Sequence, residues 1–449
     1  MVPAMAGLSA GMTYLLVFRM ILQAIWTSCD LSTEPLFSHW SFPSLHVCLA
    51  ALVVWTLVTL LSIGGYRALS KSGCLILVIL FISHTLLFSY SLFSFSNFWP
   101  SFRALFGGAQ KTGGSFMRWI WSWADAATCA LRAVNVGCGG VQKFASLNRF
   151  SQKIKYQVLI VSAFAYLTYI TIAIYSFMYL AELGRYYYPD VSVEERINIF
   201  KSPGTLFSGI SEVLTNATGS MFWLTALWIA MPLMGVQGIA AYLWIITSLV
   251  IEKINARNRA VQKPTIKWKH RALIVLCISA LSFLSTLPLL VKSAVITVVS
   301  IESYAAYGTL FIAFFEICTV SYFYGFKRFV VNIRTMEMGG KSIFNVYWWL
   351  NWVVLSPGLL LCMFFAIIFT LQRRNRFFQI EFPLNWLGWM MMFTAIIFVF
   401  AYFLREEILR RKNREPLAVL FRPAGNWGPA DAEQRKDAQR AERAARVRY

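Results

Sequence analysis

The chain has 449 residues, of which 58% are hydrophobic and only 14% are charged. This composition excludes an ordinary soluble globular protein, and apolar runs along nearly its whole length predict a polytopic helical membrane protein. The net charge of +21 would suit a nucleic-acid-binding protein, but the excess of Lys and Arg lies in loops and in the C-terminal tail, where it indicates membrane orientation.

Ten apolar segments have the length of a membrane-spanning helix, which needs about 20 residues. We predict spans near residues 6–28, 43–64, 73–95, 124–148, 155–183, 220–251, 271–293, 301–326, 345–372 and 386–405. Together they make 1–405 an all-α polytopic membrane domain, followed by a basic tail over 406–449. The Ala-rich, mixed-charge end of this tail suits either a short helix or a disordered segment.

The loops between the predicted spans alternate in charge. Lys and Arg concentrate in every other loop, above all in 252–271, which has seven of them. The exception is 373–376, with three arginines on the opposite side. Because basic loops stay on the cytoplasmic side, we expect both termini in the cytoplasm, with Lys327 and Arg328 marking the cytoplasmic end of the preceding span.

One predicted span is interrupted by glycine. Residues 133–140 read AVNVGCGG, in the middle of the segment 124–148. Three glycines and an Asn within eight positions favour a broken helix, whose freed carbonyls could coordinate an ion or a substrate. Close packing of an unbroken helix through its small residues is the alternative, and the local sequence does not decide between the two.

Charged residues within predicted spans are candidates for function. Glu316 lies inside the span 301–326, where a carboxylate is costly unless it is paired or faces a polar cavity. Arg132 directly precedes the glycine-rich segment. We consider either Glu316 or an anionic substrate group as its partner.

The residues that usually build catalytic or metal sites are scattered. The eight cysteines form no CxxC pair, and His39, His46, His84 and His270 show no metal-ligand spacing. The sequence also contains no phosphate-cradling loop or nucleophile–base set. We therefore predict that the chain is not an enzyme and that it has neither a resident cofactor nor a metal, apart from transported or coupling ions.

Several motifs follow one another in the order known from a transporter family. They are the stretch YGTLFIAFFEICTVSYFYGFKRF over 307–329, YWW at 347–349, WLGW at 386–389, and Arg422-Pro423 with WGP at 427–429. Upstream, SPG at 202–204 resembles the external loop that folds into the family's vestibule. In these motifs the chain resembles the neurotransmitter:sodium symporters, whose members move amino acids, monoamines and osmolytes.

The resemblance implies a fold. The stretch 307–329 is similar to the family's tenth helix, so Glu316 becomes part of that helix's structural scaffold. The span with Tyr14 is similar to the third helix, and the segment 124–148 to the broken sixth helix. We therefore expect about ten helices that resemble helices three to twelve of the inverted-repeat symporter fold, without equivalents of the first two.

The resemblance also implies site residues. It assigns substrate binding to the positions Tyr14, Ala133, Asn135 and Cys138, and ion binding to Asn148, Ala133 and Gln237. It assigns the external gate to Glu302 and the internal gate to Glu252. Each gate acid is expected to pair with an arginine on the family's N-terminal segments.

The family implies sodium and chloride as coupling ions, yet several positions depart from its ion ligands. Cys129 stands in the seat of a family Gln, and Ala133 in that of a Ser. The family's LGLDS motif corresponds to 234–239, which read MGVQGI. Hard cations prefer carboxylate, hydroxyl and carbonyl oxygens. We therefore expect conventional sodium coupling to be weakened, with Asn148 as the position that keeps its residue type.

The function implied by the resemblance is transport of a small organic solute, such as an amino acid or an amine, by alternating access around the break at 133–140. The expected location is the plasma membrane. Two alternatives remain open: a non-transporting, degenerate relative that acts as a partner or regulatory subunit, and a fragment of a longer transporter. The sequence gives no indication of oligomeric state.

Overall fold

A computed structural model describes residues 45–107, 116–152, 154–199, 205–217, 219–290, 304, 308–336, 346–365, 384–412, 428–429 and 431–445. Within these ranges all regular structure is helical, as predicted. The helices fall into two compact units.

The first unit, called the α9 unit after its longest helix, lies within 17–113 and 164–302. Its helices are α1 (Leu45–Ile63), α2 (Gly65–Ser94), α3 (Phe98–Gly107), α6 (Ile154–Tyr187, which begins in the other unit), α7 (Val193–Ile199), α8 (Thr205–Thr215), α9 (Ser220–Ala260) and α10 (Trp268–Thr286). A short 3₁₀ turn, Leu287–Leu289, follows α10.

The second unit, called the break unit, lies within 1–16, 114–163 and 303–449. Its helices are α4 (Phe116–Ala133), α5 (Gly140–Ala145), α11 (Gly308–Met336), α12 (Val346–Phe365), α13 (Leu384–Lys412) and α14 (Ala432–Ala444). The last of these lies in the tail, so residues 432–444 of the tail are helical.

Eight helices within the described ranges are long and apolar enough to cross a membrane. They are α1, α2, α6, α9, α10, α11, α12 and α13. The sequence predicts ten spans, and two predictions account for the difference. The predicted span 6–28 lies outside the described residues, and the predicted span 124–148 is divided into α4 and α5.

Short hydroxyl side chains join helices of the α9 unit. The Thr59 Oγ1 and Ser279 Oγ atoms lie 2.5 Å apart between α1 and α10. On the same face of α1, Ser62 Oγ donates to the Ala240 carbonyl of α9 at 3.2 Å. Small polar residues allow helix backbones to approach closely in lipid and supply hydrogen bonds there. They explain why helices that are apolar all round nevertheless pack in a defined register.

Buried tyrosines fill the contact between α2 and α6. Tyr175 is 1% exposed, and its hydroxyl lies 2.9 Å from His84 Nδ1. The Tyr179 hydroxyl donates to the Leu87 carbonyl at 3.3 Å. Each ring therefore contributes apolar area while its polar end has a partner, which buried tyrosines require.

The core of the break unit depends on one glycine. The buried residues of this core are Ala124, Tyr304, Leu310, Phe364, Met392 and Ile396. A Cβ atom on Gly388 would lie 2.2 Å from Cδ2 of the Tyr304 ring. A hydrogen at this position thus lets the N-terminal part of α13 pack directly on the Tyr304 ring.

Two π-helical stretches of the break unit face each other. They are Thr319–Gly325 in α11 and Asn351–Leu355 in α12. Ser321 Oγ donates to the Trp352 carbonyl at 3.0 Å, and the Tyr322 hydroxyl donates to the Val353 carbonyl. Side chains of α11 thus donate hydrogen bonds to carbonyl groups in the wider, π-helical turn of α12.

Candidate functional site

The predicted break is present between α4 and α5. Helix α4 ends at Ala133 and α5 begins at Gly140. Between them Asn135, Gly137 and Gly139 adopt positive φ angles of 58°, 76° and 72°. These left-handed conformations end the regular helix, because L side chains other than Asn rarely adopt them. The break therefore follows from residue type, and the alternative of an unbroken, closely packed helix is wrong.

The end of α4 has the hydrogen bonds of a Schellman motif. The Val136 amide donates to the Leu131 carbonyl at 2.9 Å, and the Asn135 amide donates to the Arg132 carbonyl at 3.1 Å. Asn135 occupies the left-handed position that usually holds Gly. The sequence thus specifies where the helix stops.

The break packs against the start of α11. A Cβ atom on Gly137 would lie 3.0 Å from the Thr309 carbonyl oxygen and 3.4 Å from its Cβ atom. Thr309 and Glu316 are seven residues apart on α11, a spacing that places them on one face of a helix. The same face of α11 that contacts Gly137 therefore presents the carboxylate.

Glu316 of α11 has a hydrogen-bond partner in α5, the helix that follows the break. Gln142 of α5 donates from its Nε2 atom to Glu316 Oε1 at 2.6 Å. The backbone amide of Gly137 faces the same carboxylate. Two donors near the break thus stabilise an acid that would otherwise be costly at membrane depth. The arrangement binds α5 to α11 while the backbone between α4 and α5 stays non-helical.

The remaining predicted site residues of the break unit lie in or just after the break. Ala133 ends α4 and, like Asn135, is partly exposed, whereas the Cys138 side chain is 1% exposed. Asn148 follows α5 and is exposed. The structure therefore brings Ala133, Asn135 and Cys138 together, and places Asn148 beyond the end of the short helix. Tyr14 and Glu302 lie outside the described residues.

Two predicted site residues lie in the α9 unit. Gln237 accepts a hydrogen bond from Ser72 Oγ at 2.9 Å and donates one to the Leu69 carbonyl at 2.9 Å. Its amide thus joins α9 to α2. Glu252 is exposed near the C-terminal end of α9.

Sequence reasoning missed Gln142 and Thr309. Gln142 lies two positions after the last glycine of the break. Its polar amide, inside a segment of membrane-spanning length, indicated that a polar partner such as Glu316 could lie nearby. Thr309 contributes through its backbone oxygen and its Cβ atom, which nearly every residue type has, so its residue type carried no signal.

Comparison with known proteins gives the same assignment as the motifs. The family model described as "Sodium:neurotransmitter symporter family" matches residues 26–408. The human sodium- and chloride-dependent neutral and basic amino acid transporter B(0+) is 26% identical over 68% of this chain and 46% of its own length. The Drosophila melanogaster sodium-dependent serotonin transporter is 24% identical over 68% of this chain and 47% of its own.

A third relative, the Xenopus laevis sodium- and chloride-dependent glycine transporter 2, is 24% identical over 70% of this chain and 38% of its own length. The chain thus spans about half or less of the curated relatives it matches. The family that matches is one of transporters and not of enzymes, in agreement with the prediction from the sequence. With its apolar spans and a family match over most of its length, the chain is an integral membrane protein that belongs to the sodium:neurotransmitter symporter family.

Proposed function

We propose that the chain carries a small organic solute, of the amino acid or amine class, across a membrane by alternating access around the break at 133–140. The observation that carries this proposal is the break itself, with Glu316 bonded to Gln142 beside it. Broken helices near the membrane midplane form the binding sites of inverted-repeat transporters.

The geometry supports a binding role for the break in two ways. The positive φ angles of Asn135, Gly137 and Gly139 interrupt the helical hydrogen-bond ladder, and in inverted-repeat transporters such interruptions supply the backbone groups that bind ligands. The Glu316–Gln142 bond holds α5 to α11 across the interruption. A helix can therefore be open at its centre without separating into two independent pieces.

Sodium and chloride are the coupling ions that the family implies, and we propose that sodium coupling is weakened in this chain. Ala133, in the seat of a family ion ligand, has no side-chain oxygen. In the α9 unit, the Gln237 side-chain oxygen already accepts a hydrogen bond from Ser72. Asn148 remains a candidate ion ligand, and Glu302 and Glu252 remain candidate gates.

The test is uptake of labelled neutral amino acids, basic amino acids and monoamines by cells that express the chain, measured with and without sodium. We expect saturable uptake above that of untransfected cells, with a weak dependence on sodium. Surface labelling controls for delivery to the plasma membrane. We propose that both termini lie in the cytoplasm. Background uptake of every solute by cells with normal surface labelling would overturn the proposal.

The second candidate is a non-transporting relative that acts as a partner or regulatory subunit. The loss of side-chain oxygen at Ala133 and the hydrogen bonding of the Gln237 amide favour it, since both reduce the means of ion coupling. This candidate predicts background uptake by the chain alone and altered uptake by a transporter expressed with it. Strong, saturable, sodium-dependent uptake by the chain alone would eliminate it.

A further inference from the structure

Helix α3 has one buried side and one exposed, aromatic side. Ser101 is buried, and Ala104 packs against a buried apolar cluster formed by residues of α6 and α7. On the other side, Trp99 and Phe106 are 66% and 57% exposed. The inner side therefore attaches α3 to α6 and α7, while the outer side presents large apolar rings to the surroundings.

The aromatic rings of α3 contact one another along the helix. The ring centre of Phe102 lies 6.0 Å from those of both Phe98 and Trp99. One turn further on, the ring centre of Phe106 lies 4.6 Å from that of Phe102. Phe98 also packs against the buried core of the α9 unit. The series of rings thus begins at this core and ends at an exposed phenylalanine, and the contacts between the rings stabilise their arrangement.

The position of α3 relative to the spanning helix α2 matches a membrane surface. Lys71 and Arg103 flank a stretch of α2 and α3 whose sequence contains no Asp, Glu, Lys or Arg. Phe93, near the end of α2, follows Lys71 by 22 positions, which correspond to about 33 Å of helix. The hydrocarbon core of a bilayer is about 30 Å thick. With the Lys71 ammonium at one surface of the bilayer, Phe93 and the adjoining α3 therefore lie at the opposite surface.

A short, buried connection keeps α3 at the end of α2. Only residues 95–97 separate the two helices. Phe95 is buried, and Asn97 Nδ2 donates to the Met178 carbonyl of α6 at 3.2 Å. Phe93, in the last turn of α2, presents a further exposed ring next to this connection. The exposed rings of α3 therefore follow directly on the exposed apolar residues of a helix that is long and apolar enough to cross the membrane.

The exposed side of α3 has the chemistry of a surface that binds phospholipid. Tryptophan side chains concentrate where lipid headgroups meet acyl chains, and helices that lie in this region combine Trp, Phe or Leu with basic residues. Arg103 is exposed, and it lies four positions after Trp99 and three before Phe106, so it shares their side of the helix. A guanidinium group binds phosphate through bidentate hydrogen bonds. The sequence of α3, FWPSFRALFG, contains no acid that would oppose this contact.

We propose that α3 is an interfacial anchor. It lies on the bilayer surface, with Trp99 and Phe106 between phospholipid headgroups and with the Arg103 guanidinium bound to a lipid phosphate. Because the inner side of α3 packs on α6 and α7, the anchor holds the short helix α7 at a fixed level relative to the membrane. This proposal goes beyond the proposed function, since it concerns attachment to lipid and does not require transport.

Photolabelling of the natural chain in phosphatidylcholine vesicles tests the anchor. One diazirine probe is attached to a phosphatidylcholine near its glycerol group, a second is dissolved in the water, and mass spectrometry gives the ratio of lipid to water labelling at each residue. We expect this ratio to be about fivefold or more higher at Trp99 and Phe106 than at Val261, because interfacial rings insert below the headgroups. Val261 is the matched control, since it is apolar, belongs to the same unit and is 61% exposed, in the basic loop after α9.

A change of charge tests the contact with phosphate. Arg103→Glu should lower the lipid labelling of Phe106 about threefold or more, because a carboxylate repels phosphate, whereas Arg103→Lys should keep it. The buried residues 242–248 of α9 should be labelled by neither probe, which shows that each variant is folded. Equal lipid labelling of Phe106 in the natural chain and in a folded Arg103→Glu variant would overturn the proposal.

Two results with the natural chain alone would also overturn the anchor. Labelling of Trp99 and Phe106 mainly from water would show that this side of α3 faces solvent. Protection of both residues from both probes would show that a second copy of the chain or another protein covers it.

Discussion

Gln142 and Glu316 join two helices across a helix break, with 2.6 Å between the amide nitrogen of one and the carboxylate oxygen of the other. The acid lies in a span and the amide in the short helix that follows the break. A carboxylate in lipid requires hydrogen-bond donors, and Gln142 of α5 supplies one to Glu316 of α11. The position of α5 after the break therefore depends on α11.

We predict that Gln142→Leu lowers the thermal unfolding midpoint of the purified chain. The change removes the side-chain donor of Glu316, and an unsatisfied polar group costs about 1–3 kcal/mol. The double variant Gln142→Leu with Glu316→Leu should recover much of the loss, because it removes both partners together. Equal losses in the single and the double variants would contradict the assigned pairing.

We predict that Gly137→Ala destabilises the break. Its φ angle of +76° costs an L side chain about 1–2 kcal/mol, and the new Cβ would lie 3.0 Å from the Thr309 carbonyl oxygen. The control in the same unit is Gly358→Ala, where no atom lies within 4 Å of the new Cβ. Thermal unfolding of the two variants in detergent measures the difference, and equal midpoints would exclude close packing of the break on α11.

We predict that Asn135→Gly destabilises the chain less than Asn135→Val does. Both changes remove the amide side chain, but only glycine adopts the φ angle of 58° without strain. The β-branched side chain should cost roughly 1–2 kcal/mol or more. Unfolding midpoints of the two variants check this, and a valine variant as stable as the glycine variant would show that Asn135 does not end α4.

We predict that Gln237→Leu weakens the contact between α9 and α2. The change removes two hydrogen bonds of 2.9 Å, and bonds between helices in membranes contribute roughly 0.6–2 kcal/mol. The unfolding midpoint should fall by the same amount with and without sodium. A loss that appears only with sodium present would instead identify Gln237 as an ion ligand.

The local sequence indicated the break as one of two alternatives, because the residues that cause it lie within the break itself. Three glycines and Asn135 supply left-handed conformations where they stand, and the Schellman bonds join residues at most five positions apart. The position and helical character of most spans followed from apolar length in the same way. The division of the segment 124–148 into two helices has the same cause.

The partners of the charged residues could not be predicted in this way. Glu316 and Gln142 are 174 positions apart in the chain, and Arg328 and Glu442 are 114 apart. Each pairing depends on which helices pack together, and a local sequence pattern does not predict which helices those are. Arg328 therefore looked like a simple orientation charge, although the structure buries it beside the tail helix.

Uptake by purified protein in sealed lipid vesicles tests the central claim most directly, which is that the break at 133–140 is a transport site. We predict saturable uptake of at least one labelled amino acid or amine by the natural chain and by Gly358→Ala. We predict its loss in Gly137→Ala under conditions where that variant is folded. Uptake no greater than that of empty vesicles, or equal uptake by the natural chain and Gly137→Ala, would contradict the account.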